Sequence, residues 1–254
     1  METPNTTIYL EVNAGLCNRI RALISGICWA QSLNLDLVVY WPSFKPECIA
    51  GFYDLFDKCS LPADVEVIDN VLSEKTTCLS PADAERLILR APPGRPIRII
   101  SHGCFYNLNH DVWLYHLQNL QPSPAVAAKL ATWNQQGLRE LNTAIHIRRT
   151  DNQRAIELSP FELFIQKIIE RPKERFALFT DDGMAASFLK QKFGDRILIF
   201  ESERSRVSNE GMIEGTTVFF ALAARKRILG SAQSSFSEIA SQYGDSILEV
   251  VRVS

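Results

Sequence analysis

The sequence predicts an α/β protein of two lobes, each built on a parallel sheet. Short apolar segments with strand character alternate with longer segments whose apolar residues recur at helical spacing. Such alternation is typical of parallel strands that are connected by helices. Three serine–proline pairs mark helix starts along the chain. A length of 254 residues allows one large domain or two modest ones.

The first half opens with a strand over 7–12, a turn at Gly15 and a helix over 18–33. Apolar residues recur in that helix at intervals of three and four, which indicates one buried face. A nearly continuous apolar strand follows over 36–41 and stops at a proline, which cannot donate to a strand ladder. The segment 95–101 has the composition of another buried strand.

Serine–proline pairs are the clearest boundary signals in the chain. Serine is favoured just before a helix, and proline fits the first helical position. The pairs are Ser80 with Pro81, Ser123 with Pro124, and Ser159 with Pro160. Glu162 stands three residues after Ser159, which predicts a capping box there.

The second half repeats the alternation of strands and helices. We expect strands at 142–148, 175–180, 196–200, 226–230 and 246–251, and helices at 160–170, 183–192, 212–224 and 236–242. The preferred hinge between the halves is 121–124, with 92–94 as the alternative. The predicted lobes are therefore 1–122 and 123–254.

Charge and hydropathy exclude several classes of partner. The formal net charge is −2, so no overall basic field attracts nucleic acid or an anionic membrane. The first residues lack the basic and apolar regions of a secretory signal, and the longest apolar run, 218–224, is too short to span a bilayer. We expect a soluble, cytoplasmic protein without a transmembrane segment.

All six cysteines lie in the first half, and we expect them to be reduced. They show no Cys-x-x-Cys pair, and the four histidines show no zinc-ligand spacing. A cytoplasmic setting favours free thiols over disulfides. The cysteines are Cys17, Cys28, Cys48, Cys59, Cys78 and Cys104.

A dense patch of charged side chains follows the strand at 142–148. It contains His146, Arg148, Arg149 and Asp151. Strand residues alternate faces, so His146 and Arg148 share one side. Two guanidinium groups at a strand end suit a diphosphate, because each presents a planar fork of permanently charged donors. The alternative is a surface ion pair between arginine and aspartate, which contributes little to stability.

Two aspartates end the strand at 175–180 and open the next helix. Asp182 has the position of a helix N-cap, which is a sufficient structural explanation for it. Asp181 would then be left to orient an arginine or to accept a hydrogen bond from a ligand hydroxyl. Both the structural and the functional interpretation remain open at this point.

Small polar residues crowd the segment 230–238, after another strand. Ser235 and Glu238 fit a capping box, which accounts for one serine. The same hydroxyls, including that of Ser234, together with the backbone N–H groups of a helix start, also suit a phosphate. Spacing alone does not decide between these interpretations.

The turn after the first strand is a further candidate. Gly15 permits a tight turn, and Asn18 and Arg19 lie at the start of the following helix, where backbone N–H groups lack partners. The pattern lacks the spaced glycines of a dinucleotide fingerprint. The alternative is an ordinary strand-to-helix turn with solvated arginines.

Taken in order, four segments resemble the nucleotide-sugar fucosyltransferases. The segments are 15–23, 146–151, 179–182 and 230–240. The group includes the alpha-1,6-fucosyltransferases, the rhizobial nodulation fucosyltransferase and the protein O-fucosyltransferases. The resemblance implies a GT-B fold, in which two Rossmann-like lobes face a central cleft and the second lobe holds most of the GDP. It also implies inversion at the sugar without a divalent metal.

The resemblance assigns roles to the residues of the second lobe. It implies that Arg148 contacts the β-phosphate of the donor, with His146 and Arg149 lining the same site. It places Ser235 near the phosphates and makes Asp181 and Asp182 necessary for activity. The glycine loop of the first lobe, with Gly15, Asn18 and Arg19, is expected to face the donor.

One position departs from the pattern of the group. An aspartate on the helix before the serine-rich segment often reads the guanine base, whereas this chain has Thr217 near that place and Glu214 one turn earlier. A donor with another base or sugar is therefore one alternative. A second is a catalytically silent nucleotide-sugar-binding protein.

The expected activity is that of an inverting, metal-independent glycosyltransferase. Arg148 and Arg149 would stabilise the charge that develops as GDP leaves, in a partly dry site. The donor is expected to be GDP-fucose, and the acceptor a hydroxyl of a glycan, a lipid-linked sugar or a peptide. A general base among Asp151, Glu157 and Asp181 would assist the acceptor hydroxyl, and the sequence does not choose one.

Overall fold

The computed structural model describes residues 7–68, 75–92, 94–150, 153–200, 205 and 207–253. The chain forms two compact units. Unit 1 comprises Met1–Ala125 and Ser205–Ile213, and unit 2 comprises Val126–Arg204 and Glu214–Ser254. The lobe boundary expected after residue 122 stays a prediction. Within the described residues, no helix has the length and apolar character needed to cross a membrane.

Unit 1 is built around a parallel sheet with the strand order β3-β2-β1-β5-β4. Its elements, in chain order, are β1 (Ile8–Val12), α1 (Leu16–Leu33), β2 (Leu37–Tyr40), α2 (Phe52–Leu55), β3 (Val65–Ile68), β4 (Thr76–Thr77), α3 (Pro81–Arg90), β5 (Ile97–Ser101) and α4 (His110–Gln118). The central strand is β1, whose apolar side chains are fully buried. Two helices, α5 (Pro124–Gln135) and α9 (Asn209–Ala223), begin in unit 1 and end in unit 2.

Unit 2 repeats this architecture with the strand order β10-β9-β6-β7-β8, again parallel. Its elements are β6 (Thr143–Ile147), α6 (Gln153–Leu158), α7 (Phe161–Ile169), β7 (Phe176–Thr180), α8 (Gly183–Phe193), β8 (Ile197–Ile199), β9 (Arg227–Ser231), α10 (Ser235–Gly244) and β10 (Ile247–Val251). Branched and aromatic side chains from β6, β7 and α7 fill its core. The strand β6 lies at the centre of the sheet.

The expectation of an α/β architecture with parallel sheets is confirmed, and the eight strands expected from the sequence are all present within about two residues at each end. Five of the described elements were not expected, namely β3, β4, α2, α4 and α6. The strands β3 and β4 are short, half-buried or exposed sheet members with weak alternation. No helix was expected at α4, although Asn109 caps it by accepting from the backbone N–H groups of Asp111 and Val112.

The serine–proline pairs behave differently from one another. Ser80 caps α3 as expected, by accepting from the backbone N–H of Asp83 at 3.2 Å. Ser123 precedes α5, and its hydroxyl donates to the carbonyl of Asp54. The capping box expected at Ser159 is wrong. Its hydroxyl is buried, donates to the carbonyl of Val251 at 2.6 Å and accepts from the N–H of Ala232 at 2.8 Å.

Candidate active site

The centre of unit 2 gathers the ends of three neighbouring strands. On β6, His146 pairs with Phe179 of β7 and with Gly230 of β9. Because the strands are parallel, the segments that follow them leave from the same edge of the sheet. Ligands of open α/β sheets bind at this carboxyl edge. The segments that begin with Arg148, Asp181 and Ala232 therefore meet where a ligand is expected.

Asp181 fixes the turn that carries the second arginine. Its Oδ1 accepts from the backbone N–H of Arg149 at 2.7 Å, and its Oδ2 accepts from the N–H and the hydroxyl of Thr150 at 3.3 and 2.7 Å. Both carboxylate oxygens are thus used to hold a neighbouring strand end. Of the two roles left open for Asp181, this geometry favours orienting an arginine over accepting from a ligand hydroxyl. Its need for activity stays a prediction.

Asp182 combines capping with an ion pair. Its Oδ1 accepts from the backbone N–H groups of Met184 and Ala185 at 2.8 and 3.2 Å, which confirms the expected N-cap of α8. Its Oδ2 lies 3.2 Å from Nε of Arg149. The guanidinium carbon of Arg149 also lies 5.4 Å from the ring centre of Phe161. A carboxylate and an aromatic face therefore orient this half-buried cation.

Arg148 is tied to the other flank of the sheet. Its backbone N–H donates to Oγ of Ser231 at 3.1 Å, and Ser231 itself is buried at the end of β9. The side chain of Arg148 is half-buried. Sequence reasoning did not single out Ser231. The available signal was its position as the last residue of a strand followed by small polar residues.

His146 is held against the first turn of α10. Its Nδ1 lies 2.7 Å from Oγ of Ser237, and its ring stacks on Phe236 with 5.1 Å between the ring centres. Ser237 belongs to the serine-rich segment that was expected to suit a phosphate, but its contact with His146 was not predicted. The contact links strand β6 to the helix start that the serine-rich segment predicted.

The N-cap of α10 is Ser234 and not Ser235, which corrects the expected capping box. Ser234 has extended backbone angles, and its hydroxyl accepts from the backbone N–H of Ser237. Ser235 is the first helical residue and is half-buried. The first-turn N–H groups of a helix have no partner inside the helix, so this start retains donors that suit an anion.

A glycine allows α10 to approach the sheet this closely. A Cβ placed on Gly230 would lie 2.8 Å from both Cβ and Oγ of Ser237. Any larger residue would push the helix away from β9, and with it the side chain that contacts His146. The serine-rich segment and the central strand therefore depend on this one small residue.

An open depression lies beside Arg149. Its volume is about 780 Å³, and the polar residues that line it include Arg149, Asp181 and Asp182. The exposed side chains of Met184 and Phe188 line it as well. The depression thus offers a cation and a carboxylate next to an apolar surface.

The helix α9 holds the residues near the expected base-reading position. Thr217 is fully buried, so its side chain is shielded from solvent, and its donor contact stays a prediction. Glu214 is 5% exposed and pairs through Oε1 with the ammonium of Lys129. Its Oε2 has no hydrogen-bond partner among the described residues. A buried carboxylate oxygen in this state is costly.

The glycine loop lies in unit 1, and its Arg19 is buried, which excludes the alternative of a solvated side chain at this position. That side chain is 0% exposed, with Nε donating to the carbonyl of Ala14 at 2.8 Å and Nη1 to that of Pro42 at 2.6 Å. Gly15 precedes α1 in extended conformation, and Asn18 is half-buried in its first turn. The expected donor contacts of these three residues stay predictions.

The remaining base candidates are placed as follows. Asp151 lies outside the described residues. Glu157 is exposed on α6, where it accepts from Nε2 of Gln153 at 3.1 Å. Within the described part of the chain, no group of three or more His, Cys, Asp or Glu side chains is arranged to hold a metal ion. The absence of a metal requirement stays a prediction.

Comparison with known proteins places this geometry in a fold. No protein-family model matches the chain, and no curated protein matches it in sequence. The solved NodZ alpha-1,6-fucosyltransferase soaked with GDP-fucose is similar over 94% of this chain and 92% of that one, with a TM-score of 0.70 and 14% identity. Fucosyltransferase NodZ from Bradyrhizobium is similar over 93% of this chain and 92% of that one, with a TM-score of 0.69 and 14% identity.

A second group of solved structures covers the whole chain. POFUT1 in complex with GDP-fucose is similar over 99% of this chain and 97% of that one, with a TM-score of 0.65 and 12% identity. The fold is that of the GT-B fucosyltransferases. The expected fold class and the fucosyltransferase-like fold are therefore confirmed. At such low identity the likeness establishes the fold and leaves the activity to be argued.

Proposed function

We propose that this protein is an inverting, metal-independent glycosyltransferase that uses a nucleoside-diphosphate sugar, with GDP-fucose as the donor. One observation carries the proposal. Arg148 and Arg149 follow the central strand of unit 2, and the neighbouring strand ends hold their backbone through Ser231 and Asp181. Two adjacent guanidinium-bearing residues fixed at the carboxyl edge of a parallel sheet suit a diphosphate.

The chemistry follows from the charge that develops during transfer. As the bond between the sugar and the diphosphate breaks, negative charge grows on the leaving β-phosphate oxygen. Arg148 and Arg149 stabilise that charge, and the first-turn N–H groups of α10 at Ser235 add a favourable helix dipole. Because these donors are fixed before reaction, little reorganisation is needed. In this proposal they take the place that a divalent cation has in other transferases.

The identity of the donor rests on similar proteins and not on a base contact. NodZ and POFUT1 have been solved with GDP-fucose, and they share this fold. In this chain, Glu214 and Thr217 on α9 are the residues that would meet the base. Since Thr217 stands where an aspartate is expected, donors with another base or sugar are the nearest alternative.

The acceptor is proposed to be a hydroxyl of a glycan, a lipid-linked sugar or a peptide. It would attack the sugar from the face opposite the leaving diphosphate, which inverts the configuration. A carboxylate would take up the hydroxyl proton. Asp181 already accepts three hydrogen bonds from Arg149 and Thr150, so Asp151 and Glu157 are the better candidates for the base. We place the reaction in the cytoplasm.

The decisive experiment replaces the first arginine. Arg148→Ala is expected to reduce turnover of GDP-fucose by about a thousandfold, since removal of one fixed donor to a developing oxyanion has an effect of this order. Arg175→Ala is the matched control, because Arg175 is exposed and its ion pair within the described part of the chain is a long one of 3.7 Å with Glu140. Unchanged turnover in a folded Arg148→Ala protein would refute the site.

A nucleotide panel separates the alternatives. The midpoint of thermal unfolding, measured with GDP, UDP, ADP and CMP, is expected to rise most with GDP. Only a ligand that binds the folded chain raises this midpoint. A larger rise with another nucleotide would identify another donor. A rise with GDP but no hydrolysis or transfer at any Arg148-dependent rate would favour a silent nucleotide-sugar-binding protein.

A further inference from the structure

The loop that joins β5 to α4 in unit 1 lies along the helix α1, and the proposed function makes no use of it. The ring of Phe105 is fully buried and meets the ring of Trp29 edge-on, with 5.9 Å between the ring centres. The hydroxyl of Tyr106 donates to Oγ of Ser32 at 2.9 Å. Because Trp29 and Ser32 are three residues apart, they lie on one face of the helix. The loop therefore follows a single face of α1.

The same loop brings one thiol to this face of the helix. The hydroxyl of Ser25 donates to Sγ of Cys104 at 3.5 Å. Ser25 lies four residues before Trp29, so Cys104 continues the line of contacts toward the start of α1. Ser25 is fully buried, whereas Cys104 is exposed. Cys104 is thus accessible to solvent while its sulfur is held against the helix.

A second thiol lies on the same face of α1. Cys28 follows Ser25 by three residues, and side chains with this spacing are neighbours on a helix, with about 5–6 Å between their Cβ atoms. Cys28 is 7% exposed, and both cysteines are free thiols in the structure. Burial and, after it, the neighbouring thiol of Cys104 raise the pKa of Cys28 to about 12. An exposed thiol and a buried thiol are therefore close enough to interact.

The exposure of Cys104 and the nearness of Cys28 suit two successive steps of oxidation. An exposed cysteine meets an oxidant first, and a sulfenic acid formed there condenses with a thiol that lies within reach. The other exposed cysteine is Cys59. Its hydrogen bond with Asp57 raises the pKa of the Cys59 thiol, which leaves less of the reactive thiolate. Cys104 is therefore the better candidate for the first step.

We propose that Cys104 and Cys28 form a dithiol site that a hydroperoxide oxidises reversibly to an intramolecular disulfide. The sulfur of Cys104 attacks the O–O bond of the hydroperoxide, becomes a sulfenic acid and releases an alcohol or water. The sulfur of Cys28 then attacks that of Cys104, and the hydroxyl group leaves as water with the proton of Cys28. The two thiols lose two electrons and two protons, and the hydroperoxide takes up both.

The disulfide would join the loop after β5 covalently to α1. The chain between the two elements is long, since Ser25 and Cys104 are 79 residues apart. A bond that closes a long loop restrains the unfolded chain strongly. The oxidised protein is therefore expected to unfold at a higher temperature than the reduced protein. The site does not depend on the proposed sugar transfer.

Peptide mass mapping of the full chain, reduced and then treated with hydrogen peroxide, tests the proposal. A disulfide between Cys28 and Cys104 that a thiol reductant reverses is expected as the main product. Cys59→Ser is the matched control, because it removes the other exposed thiol, and it should form the same disulfide. Oxidation of Cys104 to a sulfinic acid, or its pairing with any other cysteine, while Cys28 stays a thiol would overturn the proposal.

Two variants separate the steps. Cys28→Ser removes the second thiol, so Cys104 is expected to remain as a sulfenic acid that dimedone traps. Cys104→Ser should leave Cys28 unoxidised, because the exposed thiol that reacts first is absent. Oxidation of Cys28 at an unchanged rate in Cys104→Ser would contradict the proposed order and refute the site. If the buried Cys28→Ser variant fails to fold, Cys104→Ser and the mapping of the wild type still decide.

Thermal unfolding provides a second readout of the bond. Peroxide treatment should raise the unfolding midpoint of the wild type and of Cys59→Ser, and a reductant should reverse the rise. The rise should be absent in Cys104→Ser. An equal rise in Cys104→Ser would show that oxidation elsewhere causes it and would overturn the proposal. Because none of these measurements needs a donor sugar, failure of the proposed transfer would leave their outcome unaffected.

Discussion

The backbone N–H of Arg149 donates to Oδ1 of Asp181 at 2.7 Å, so the end of β7 determines where the end of β6 points. The same carboxylate also holds Thr150 through two further hydrogen bonds. Asp181 therefore acts on the proposed chemistry through the position of the arginines. This relationship separates a positioning carboxylate from one that exchanges a proton with the acceptor.

The first prediction concerns Asp181→Asn. An amide has one acceptor oxygen, and its NH2 group would face the backbone donors of Arg149 or Thr150. The arginines should shift, and kcat should fall by about a hundredfold, since a displacement of 1 Å in a site has an effect of this order. Steady-state kinetics with GDP-fucose measure this change. Asp195→Asn is the control, because Asp195 is fully exposed.

A positioning role for Asp181 leaves a distinct signature. The pH dependence of the residual activity of Asp181→Asn should match that of the wild type, since no titrating base has been removed. Loss of one limb of the pH profile would instead identify Asp181 as the general base.

A second prediction compares two glycines. Gly230→Ala should destabilise the protein by about 1–3 kcal/mol, the range seen for overpacking, because its Cβ would collide with Ser237. Gly215→Ala, in the interior of α9, meets nothing within 4 Å and should stabilise by about 0.5–1 kcal/mol. Denaturant titration gives both values. Equal effects would contradict the close approach of α10 to β9.

A third prediction concerns the ion pair of Lys129 and Glu214. Lys129→Met leaves a carboxylate that is 5% exposed without its counter-charge, which should cost about 3–5 kcal/mol. Adding Glu214→Gln should recover much of that loss, because no buried charge remains. Arg86→Met, which breaks an exposed pair with Asp83, should cost far less, because solvent screens such pairs. If the losses of stability in the two single variants simply add in the double variant, Lys129 and Glu214 are not coupled.

The fourth prediction is a pH dependence of stability at Glu249. Burial raises its pKa, but ion pairs with Lys167 and Arg171 outweigh burial, so the pKa lies below its ordinary value of 4.5. A lowered folded pKa gives stability that is full above pH 4.5 and is lost as the pH falls through the folded value. Glu249→Gln should therefore lower the unfolding midpoint at pH 7, and the difference from the wild type should shrink below pH 4.5.

The control for this pH dependence is Glu140→Gln. Glu140 is 60% exposed and makes one ion pair of 3.7 Å, so its replacement should change little at any pH. A deficit of Glu249→Gln that stays constant down to pH 3 would show that charge does not cause it.

A fifth prediction concerns the thiols. Burial raises the pKa of Cys28 and of Cys78 to about 12, and the thiolate is the reactive form. Iodoacetamide at pH 8 should therefore label the exposed Cys104 in the native protein and spare these two until the chain unfolds. Peptide mass mapping identifies the labelled sites. Cysteines that resist labelling in denaturant until a reductant is added would contradict the expectation of free thiols.

Local signals predicted most of the fold. Apolar strands, the proline after Ser80 and the aspartate before α8 each act within a few residues, and the structure confirms their elements. The contacts of Ser159 with Val251 and of Arg148 with Ser231 span 92 and 83 residues. Periodicity and capping rules cover only residues that are close in sequence. They therefore predicted the candidate residues but not the distant partners that hold them.

The burial of individual side chains and the exact capping residues of helices could not be predicted from the sequence either. Arg19 follows a turn, which suggests a solvent-exposed side chain. In the structure, however, two carbonyls and the ring of Trp41 surround its guanidinium group. Ser234 and Ser235 are adjacent serines, and the choice of cap depends on backbone angles around them, including a φ of 53° at Gln233. A residue pattern does not specify those angles.

The contact of His146 with Ser237 joins residues 91 positions apart, across the centre of the unit 2 sheet. Contacts of such high sequence separation form late in folding, because loop closure must be paid for before they stabilise the chain. In the proposed function the donor binds only the folded arrangement of these strand ends, so a bound donor is expected to stabilise the second sheet against unfolding.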